Sequence, residues 1–249
     1  MKYKYLNIDL KKGYRDIAKL YELNNHLMTF YLDIYWRKIM VKDIFNDIIN
    51  RINIGSIIYF IDICVGTGDL LFEFINFLNS KNLNFSFKFL ALDFSIDMVK
   101  IAKNKSLLKD VIFILADVAK IPIKDKKIDI STISLGIRNL RTNDELFEIR
   151  FKEIYRIIKD GGVFWGLETS RPPNKIIRFF SDLFTAYVAT NIAKIVSKNI
   201  EVYGYLADSI RNFYEPYEFR DFLLNKIKFK EVSYKLLTFG VVAIHKAIK

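Results

Sequence analysis

The sequence predicts a doubly wound α/β domain, a parallel sheet with right-handed crossovers that finishes in an antiparallel hairpin. Along the middle of the chain, β-branched and aromatic runs alternate with segments whose apolar residues recur at helical spacing. The first such run, Ile57-Ile58-Tyr59-Phe60-Ile61-Asp62-Ile63, breaks into Cys64-Val65-Gly66-Thr67-Gly68, which reads as buried strand and tight turn. The last two runs are separated by only Thr238, Phe239 and Gly240, too short a link for anything but antiparallel pairing.

Each element follows in order. Residues 13 to 50 carry apolar positions at helical spacing through Ile17, Leu20, Leu23, Leu27 and Phe30, then through Ile34, Ile39, Ile44 and Ile48, so two or three helices precede the first strand. After the glycine turn a helix from Asp69 to Leu78 leads to a second strand, Phe87 to Leu92, ending in Asp93. Ser95 caps the next helix, which runs to about Lys103. Strand Val111 to Leu115 ends at Ala116-Asp117, and strand Ile128 to Ser134 is followed by a helix from about Asp144 to Ile158. A turn at Lys159-Asp160-Gly161-Gly162 precedes strand Val163 to Glu168. From Arg171 to Phe213 the chain is aromatic-rich and helical without a strand, an insertion before helix Tyr217 to Lys226 and the closing strands near Val232–Leu237 and Val241–Ala247. A parallel sheet ending in one antiparallel hairpin is the class I methyltransferase arrangement, a Rossmann-like seven-stranded sheet.

The glycine turn points to a nucleoside. Gly66 and Gly68 are read as letting the backbone approach a ligand closely. Asp93, twenty-five positions after Gly68, sits at the tip of the second strand, where a carboxylate accepts hydrogen bonds from a ribose diol. A dinucleotide fingerprint would keep a third glycine for the pyrophosphate; here Asp69, Leu70 and Leu71 follow Gly68. A carboxylate at that helix start repels a diphosphate and suits a cationic amino acid, and Asp62 adds negative character to the same pocket. S-adenosyl-L-methionine, with a sulfonium, an ammonium and a ribose but no phosphate, fits better than NAD.

At 249 residues the chain suits one well-filled domain with an appended segment. A single cysteine excludes an internal disulfide and a multi-cysteine metal site, and no metal is expected. Neither a signal peptide nor a spanning segment is legible, so a cytoplasmic protein is expected. The net charge of +11 favours contact with nucleic acid or an anionic membrane, although the excess of Ile, Lys, Asn, Phe and Tyr is also what an AT-rich genome would impose.

With these residues in view, the chain resembles the quinone C-methyltransferases of menaquinone and ubiquinone synthesis, the UbiE/MenG type, from about Gly13 to Lys246. Tyr21-Glu22, Asn24-Asn25, Leu27 to Phe30 and Trp36-Arg37 are similar to the family's opening signature. Cys64 to Asp69 look like its cofactor loop, and Ile130 to Asn139 form the most family-specific piece. Leu167 to Pro172, the stretch Tyr203-Gly204-Tyr205-Leu206 with Ser209-Ile210, and Leu237 to His245 match further motifs. Glu22, Thr29, Tyr31 and Val65 depart from the pattern, and Tyr31 is placed to narrow the acceptor channel.

The resemblance implies one methyltransferase domain over 1–249: an N-terminal helical lid over 1–52, a cofactor-binding core over 53–170, an acceptor-side helical insertion over 171–214, and a C-terminal helix and hairpin over 215–249. It places cofactor contacts on Thr67, Asp93, Asp117 with Val118, and Ser134, beside the Gly66, Gly68 and Asp62 of the turn. Tyr21, Arg138 and Asn139 are the acceptor-side candidates. Arg138 just past the fourth strand would stabilise a phenolate or hold a water that takes its proton; a structural pairing with Asp69 or Glu168 is the alternative. His26 is left out as a lone helical histidine, and His245 is read as structural.

The implied reaction is C-methylation of a polyprenyl hydroquinone, demethylmenaquinol to menaquinol, with a 2-polyprenyl-6-methoxy-1,4-benzoquinol as the alternative acceptor. The aromatic insertion, with Phe179, Phe180, Phe184 and Tyr187, would grip the isoprenoid tail, and the basic surface would meet the inner face of an anionic membrane. A homodimer is compatible with this reading. An RNA methyltransferase, suggested by the charge, lacks support: Leu135-Gly136-Ile137-Arg138-Asn139 stands where an Asn/Asp-Pro-Pro-aromatic motif belongs, and Pro172-Pro173 comes one strand too late. A non-catalytic scaffold is the remaining alternative.

Overall fold

A computed structural model describes residue 26 and residues 29–51, 55–81, 83, 85–196 and 209–249, with the backbone alone over 188–196. Most of the lid expected over 1–52 therefore lies outside the described residues, except for helix α1, Leu32–Ile49. Phe30 and Tyr31 precede it with φ of 50° and 62°, so successive left-handed residues separate the two helical stretches legible in the sequence.

The sheet has seven strands: β1 Ile57–Ile63, β2 Ser86–Asp93, β3 Ile112–Leu115, β4 Ile128–Ser134, β5 Ile158–Thr169, β6 Glu231–Leu237 and β7 Val242–Ile248, ordered β3-β2-β1-β4-β5-β7-β6. The first five pair in parallel, while β7 runs antiparallel to both β5 and β6. The chain starts at the centre, winds out to β3 and returns to β4, so the switch point lies between β1 and β4. A crevice at the carboxyl ends of those strands is the general binding place of such sheets.

The unalternating β1 is apolar because both its faces are covered. Ile58 and Phe60 point into one core with Trp36, Met40 and Ile44 of α1 and with Leu70, Leu71 and Phe74 of α2, Asp69–Asn79. Ile61 and Ile63 point into the other, with Phe147, Phe151 and Ile154 of α4, Asp144–Ile157, and Phe219 of α6, Pro216–Phe222. Aromatic rings fill both: Phe74 stacks on Phe60 at 4.8 Å and meets Phe87 edge-on at 5.6 Å. His245 belongs to the second core as a structural group. Its Nε2 lies 2.8 Å from the Pro216 carbonyl, and burial lowers its pKa to about 4, so it stays neutral.

Two boundaries differ from the sequence expectation. Lys159 to Gly162 do not precede the fifth strand but form an irregularity within it: the β4–β5 register shifts between Ile128 and Ile130, Gly161 takes φ +76°, and Gly161 N donates to the Lys249 carbonyl at 2.9 Å. Pairing with the chain end keeps the backbone extended there. The helix after the insertion is regular only over Pro216–Phe222, opened by a Glu215/Glu218 capping box, and widens into a π turn over Leu223–Ile227. The β6–β7 link is one 3-10 turn in which Thr238, Phe239 and Gly240 all have positive φ, which turns the chain within so few residues. Helix α3, Ile96–Lys103, is capped by Ser95 as expected, and helix α5, Lys175–Val196, forms most of the described part of the insertion.

Candidate active site

The turn after β1 is strained. Cys64 takes φ +54°, and Gly66 and Gly68 take +54° and +84°. The two glycines serve different ends. A Cβ on Gly66 would meet nothing closer than the Cys64 carbonyl at 4.0 Å, so that side is free for a ligand. A Cβ on Gly68 would lie 2.6 Å from Leu108 Cδ1 and 3.3 Å from Ala102 Cβ. Gly66 thus leaves open space beside the turn, whereas Gly68 is required by its φ and by packing of α2 against Ala102 and Leu108. The Cys64 thiol is driven up by desolvation and then by Asp93 and Asp62, which suits neither a thiolate nucleophile nor a metal ligand.

Asp93 ties two loops together. Its Oδ2 accepts from Gly66 N and its Oδ1 from Ser95 N, each at 2.9 Å. Burial raises its pKa, against the opposing pull of the Ser95, Gly66 and Phe94 backbone N–H groups. Both oxygens retain lone pairs for a diol. On the next loop Asp117 is exposed, accepting from Ala119 N at 2.9 Å and pairing with Arg150 at 3.3 Å, while Val118 is buried beside it.

Asp62, opposite Thr132 on β4, is buried beneath the turn and accepts the Thr132 hydroxyl at 2.7 Å. Desolvation raises its pKa to about 7; the Thr132 bond and Arg37 oppose this, and Asp69 and Asp93 reinforce it. A carboxyl raised from 3.8 to about 7 contributes stability that is complete below the lower value and is lost as pH rises through the upper one. Asp62→Asn is therefore expected to leave the ligand-free protein's stability near wild type at about pH 4. At about pH 8 it should raise stability by roughly 4 kcal/mol. Melting curves at the two pH values check this, and an equal effect at both would contradict it.

Asp69, at the start of α2, is held by cations from two directions. Lys105 Nζ lies 2.5 Å from Oδ1 and Arg37 Nη2 lies 3.5 Å from Oδ2, while the Thr67 hydroxyl donates to Oδ1 at 3.1 Å. Burial would raise the Asp69 pKa, but Arg37 and Lys105 hold it below the usual value. Arg37 also donates to Asp33 at 2.6 Å, and Asp33 accepts from Thr29 at 2.7 Å and lies 2.8 Å from His26 Nδ1. This chain of contacts from α1 to the first turn is not legible in the sequence, because only the packing of α1 over α2 brings Arg37 to Asp69.

On the neighbouring strand, β4 ends in Ser134, whose buried hydroxyl has no hydrogen-bond partner among the described residues, followed by Leu135 at φ +56°. Gly136 then passes so close to the first turn that a Cβ would stand 2.8 Å from Cys64 Cβ. Gly136→Ala is expected to push the two loops apart, costing about 1–3 kcal/mol and lowering Tm; an unchanged Tm would show that the loops yield freely. Of the pairings left open for Arg138, the structure forms the one to Glu168: Nη1 donates to Oε1 at 2.5 Å and the backbone N to Oε2 at 3.1 Å. Glu168 Oε1 accepts from Thr169 N and Oγ1 as well. Asn139 Oδ1 is buried without a hydrogen-bond partner among the described residues. Tyr21 lies outside the described residues.

The groups gathered around the first turn are carboxylates at Asp62, Asp69 and Asp93, an open backbone at Gly66 and, at the end of β4, the Ser134 hydroxyl, a set suited to a cationic nucleoside; the nearby cations Arg37 and Lys105 are both paired with Asp69.

Comparison with known proteins agrees with this chemistry. Residues 3–249 match the model of the ubiE/COQ5 methyltransferase family. The "Ubiquinone/menaquinone biosynthesis C-methyltransferase UbiE" of Rickettsia typhi is 32% identical over 238 residues, covering 94% of this chain and 89% of that protein. The human "2-methoxy-6-polyprenyl-1,4-benzoquinol methylase, mitochondrial" is 27% identical, covering 95% of this chain and 78% of that protein. Among solved structures, the plantazolicin methyltransferase BpumL, with S-adenosylhomocysteine (SAH) bound, superposes with a TM-score of 0.62 at 15% identity, covering 96% of this chain and 93% of that one.

Proposed function

The chain belongs to the ubiE/COQ5 methyltransferase family of quinone biosynthesis and uses S-adenosyl-L-methionine, and on that premise we propose that it methylates a ring carbon of demethylmenaquinol. The observation that carries a quinol acceptor is the family match over nearly the whole chain, including the insertion. The benzoquinol remains the second reading, favoured by the human relative. Offering short-chain demethylmenaquinol and methoxybenzoquinol together, and comparing kcat/KM for each, separates them. A preference for the benzoquinol would replace the first reading with the second.

S-adenosylmethionine supplies an electrophilic methyl group. In this reading Asp93 takes the ribose diol, Asp117 and Val118 flank the adenine, and Thr67 and Ser134 border the methionyl part. Gly66 and Gly68 shape the turn beneath it, and Asp62 faces its ammonium. A hydroquinone ring becomes nucleophilic at carbon when a phenolic proton leaves. Asn139 Oδ1, buried and without a partner among the described residues, is suited to accept a hydrogen bond from that hydroxyl. Arg138, fastened by Glu168, provides positive potential for the phenolate. Tyr21 is assigned to the same side by resemblance alone. Holding both reactants in line is worth up to roughly 7–11 kcal/mol of the barrier.

The tail and the membrane enter through an apolar face. Phe179, Phe180 and Tyr187 on α5 are each more than 60% exposed, and Phe30 meets Phe184 with ring centroids 5.8 Å apart. No helix among the described residues is long and apolar enough to cross a membrane. We assign this face to the isoprenoid tail, and the +11 charge to peripheral docking on anionic lipid, at about 1 kcal/mol per well-placed Lys or Arg. The expected result is binding to anionic vesicles at low salt that is lost at high salt; no binding at low salt would contradict it.

A further inference from the structure

S-adenosylmethionine carries a carboxylate as well as its two cationic groups, and the crevice around the first turn is rich in negative charge. Asp62, Asp69 and Asp93 suit the ammonium, the sulfonium and the ribose, but each would repel that carboxylate unless a cation is close by. Arg37 reaches this region from α1, in the part of the chain that precedes the sheet.

The state of its guanidinium is informative. Nη1 is bound to Asp33 at 2.6 Å, which fixes the plane of the group. Nη2 stands 3.5 Å from Asp69 Oδ2, an ion pair too long for a good hydrogen bond. Nε is buried with no hydrogen-bond partner among the described residues, in a side chain only 6% exposed. An arginine in a protein cannot lose its charge, and leaving its donors unmet in a buried place is costly. Asp69 has a second cation, since Lys105 lies 2.5 Å from its other oxygen, so a ligand that engages Arg37 does not leave Asp69 without a partner. A planar, pre-oriented guanidinium with donors to spare is the group that binds a carboxylate through paired hydrogen bonds.

We infer that Arg37 binds the methionyl carboxylate of S-adenosylmethionine, so that the helix preceding the sheet takes part in cofactor recognition. This rests on the assignment of the turn to the cofactor and adds to it a residue that the glycine-turn motif does not contain. Asp33, with His26 and Thr29 about it, then acts as the positioning group that aims the guanidinium.

The test is a binding comparison that needs no turnover. Calorimetry would measure S-adenosylmethionine and decarboxylated S-adenosylmethionine, which lacks only the carboxylate, on the wild type, Arg37→Met and Arg37→Lys. The expected result is a roughly ten- to hundredfold loss of S-adenosylmethionine affinity in Arg37→Met with affinity for the decarboxylated ligand little changed. Arg37→Lys should show a smaller loss with the same selectivity, and it carries the test by itself if the methionine variant does not fold. Equal losses on both ligands, or no loss on either, would overturn the assignment. A wild type that binds neither ligand would instead refute the cofactor site itself.

Discussion

Replacing Asp93 with alanine is expected to lower S-adenosylmethionine affinity by at least ~100-fold. Hydrogen bonds to a charged group are worth about 1.5–3 kcal/mol each, and a ribose diol makes two of them with one carboxylate. The substitution also frees Gly66 N and Ser95 N, which the two Asp93 oxygens now hold at 2.9 Å, so the turn and the start of α3 lose their common anchor. Asp93→Asn keeps an acceptor and the shape of the side chain, and should lose less. SAH has the same ribose and should lose affinity in parallel, by calorimetry. A variant that binds both normally but turns over slowly would move Asp93 from the cofactor to the chemistry.

The second large effect concerns the Arg138–Glu168 pair. Both groups are buried, and Glu168 holds the arginine by its side chain and by its backbone N–H. Removing one partner of a buried pair leaves the other charge uncompensated, so Glu168→Ala should destabilise the fold by about 3–5 kcal/mol. The double replacement Arg138→Met with Glu168→Leu removes both charges and should recover much of that stability. If Arg138 serves the acceptor phenolate, turnover in the double variant stays low while S-adenosylmethionine still binds. Recovery of turnover along with stability would make the pair purely structural.

The sequence made the frame legible where burial and backbone conformation leave a local signature. The apolar run of β1 announces a strand covered on both faces, Gly66 and Gly68 announce a turn, and the brevity of Thr238-Phe239-Gly240 forces β6 and β7 antiparallel. What it left illegible depends on which distant elements pack together. Arg37 reaches Asp69 across 32 positions, and Gly136 is needed because Cys64 passes beside it, while Glu168 is offered by the sequence only as one of two partners for Arg138. No periodicity encodes such contacts. Gly68 shows the limit within a motif that was found: the glycine was expected to admit a ligand, yet its missing Cβ makes room for Leu108. The Lys159–Gly162 segment carries turn chemistry but remains part of β5, because the chain end pairs beside it.

The most direct test of the whole account follows the methyl carbon. Wild-type protein, isotopically labelled S-adenosylmethionine and a short-chain demethylmenaquinol kept reduced should yield a product whose label resides on a ring carbon by NMR, with none on the oxidised quinone or on an RNA control. Label on a quinol oxygen, label on the RNA, or no transfer to the reduced ring would contradict it.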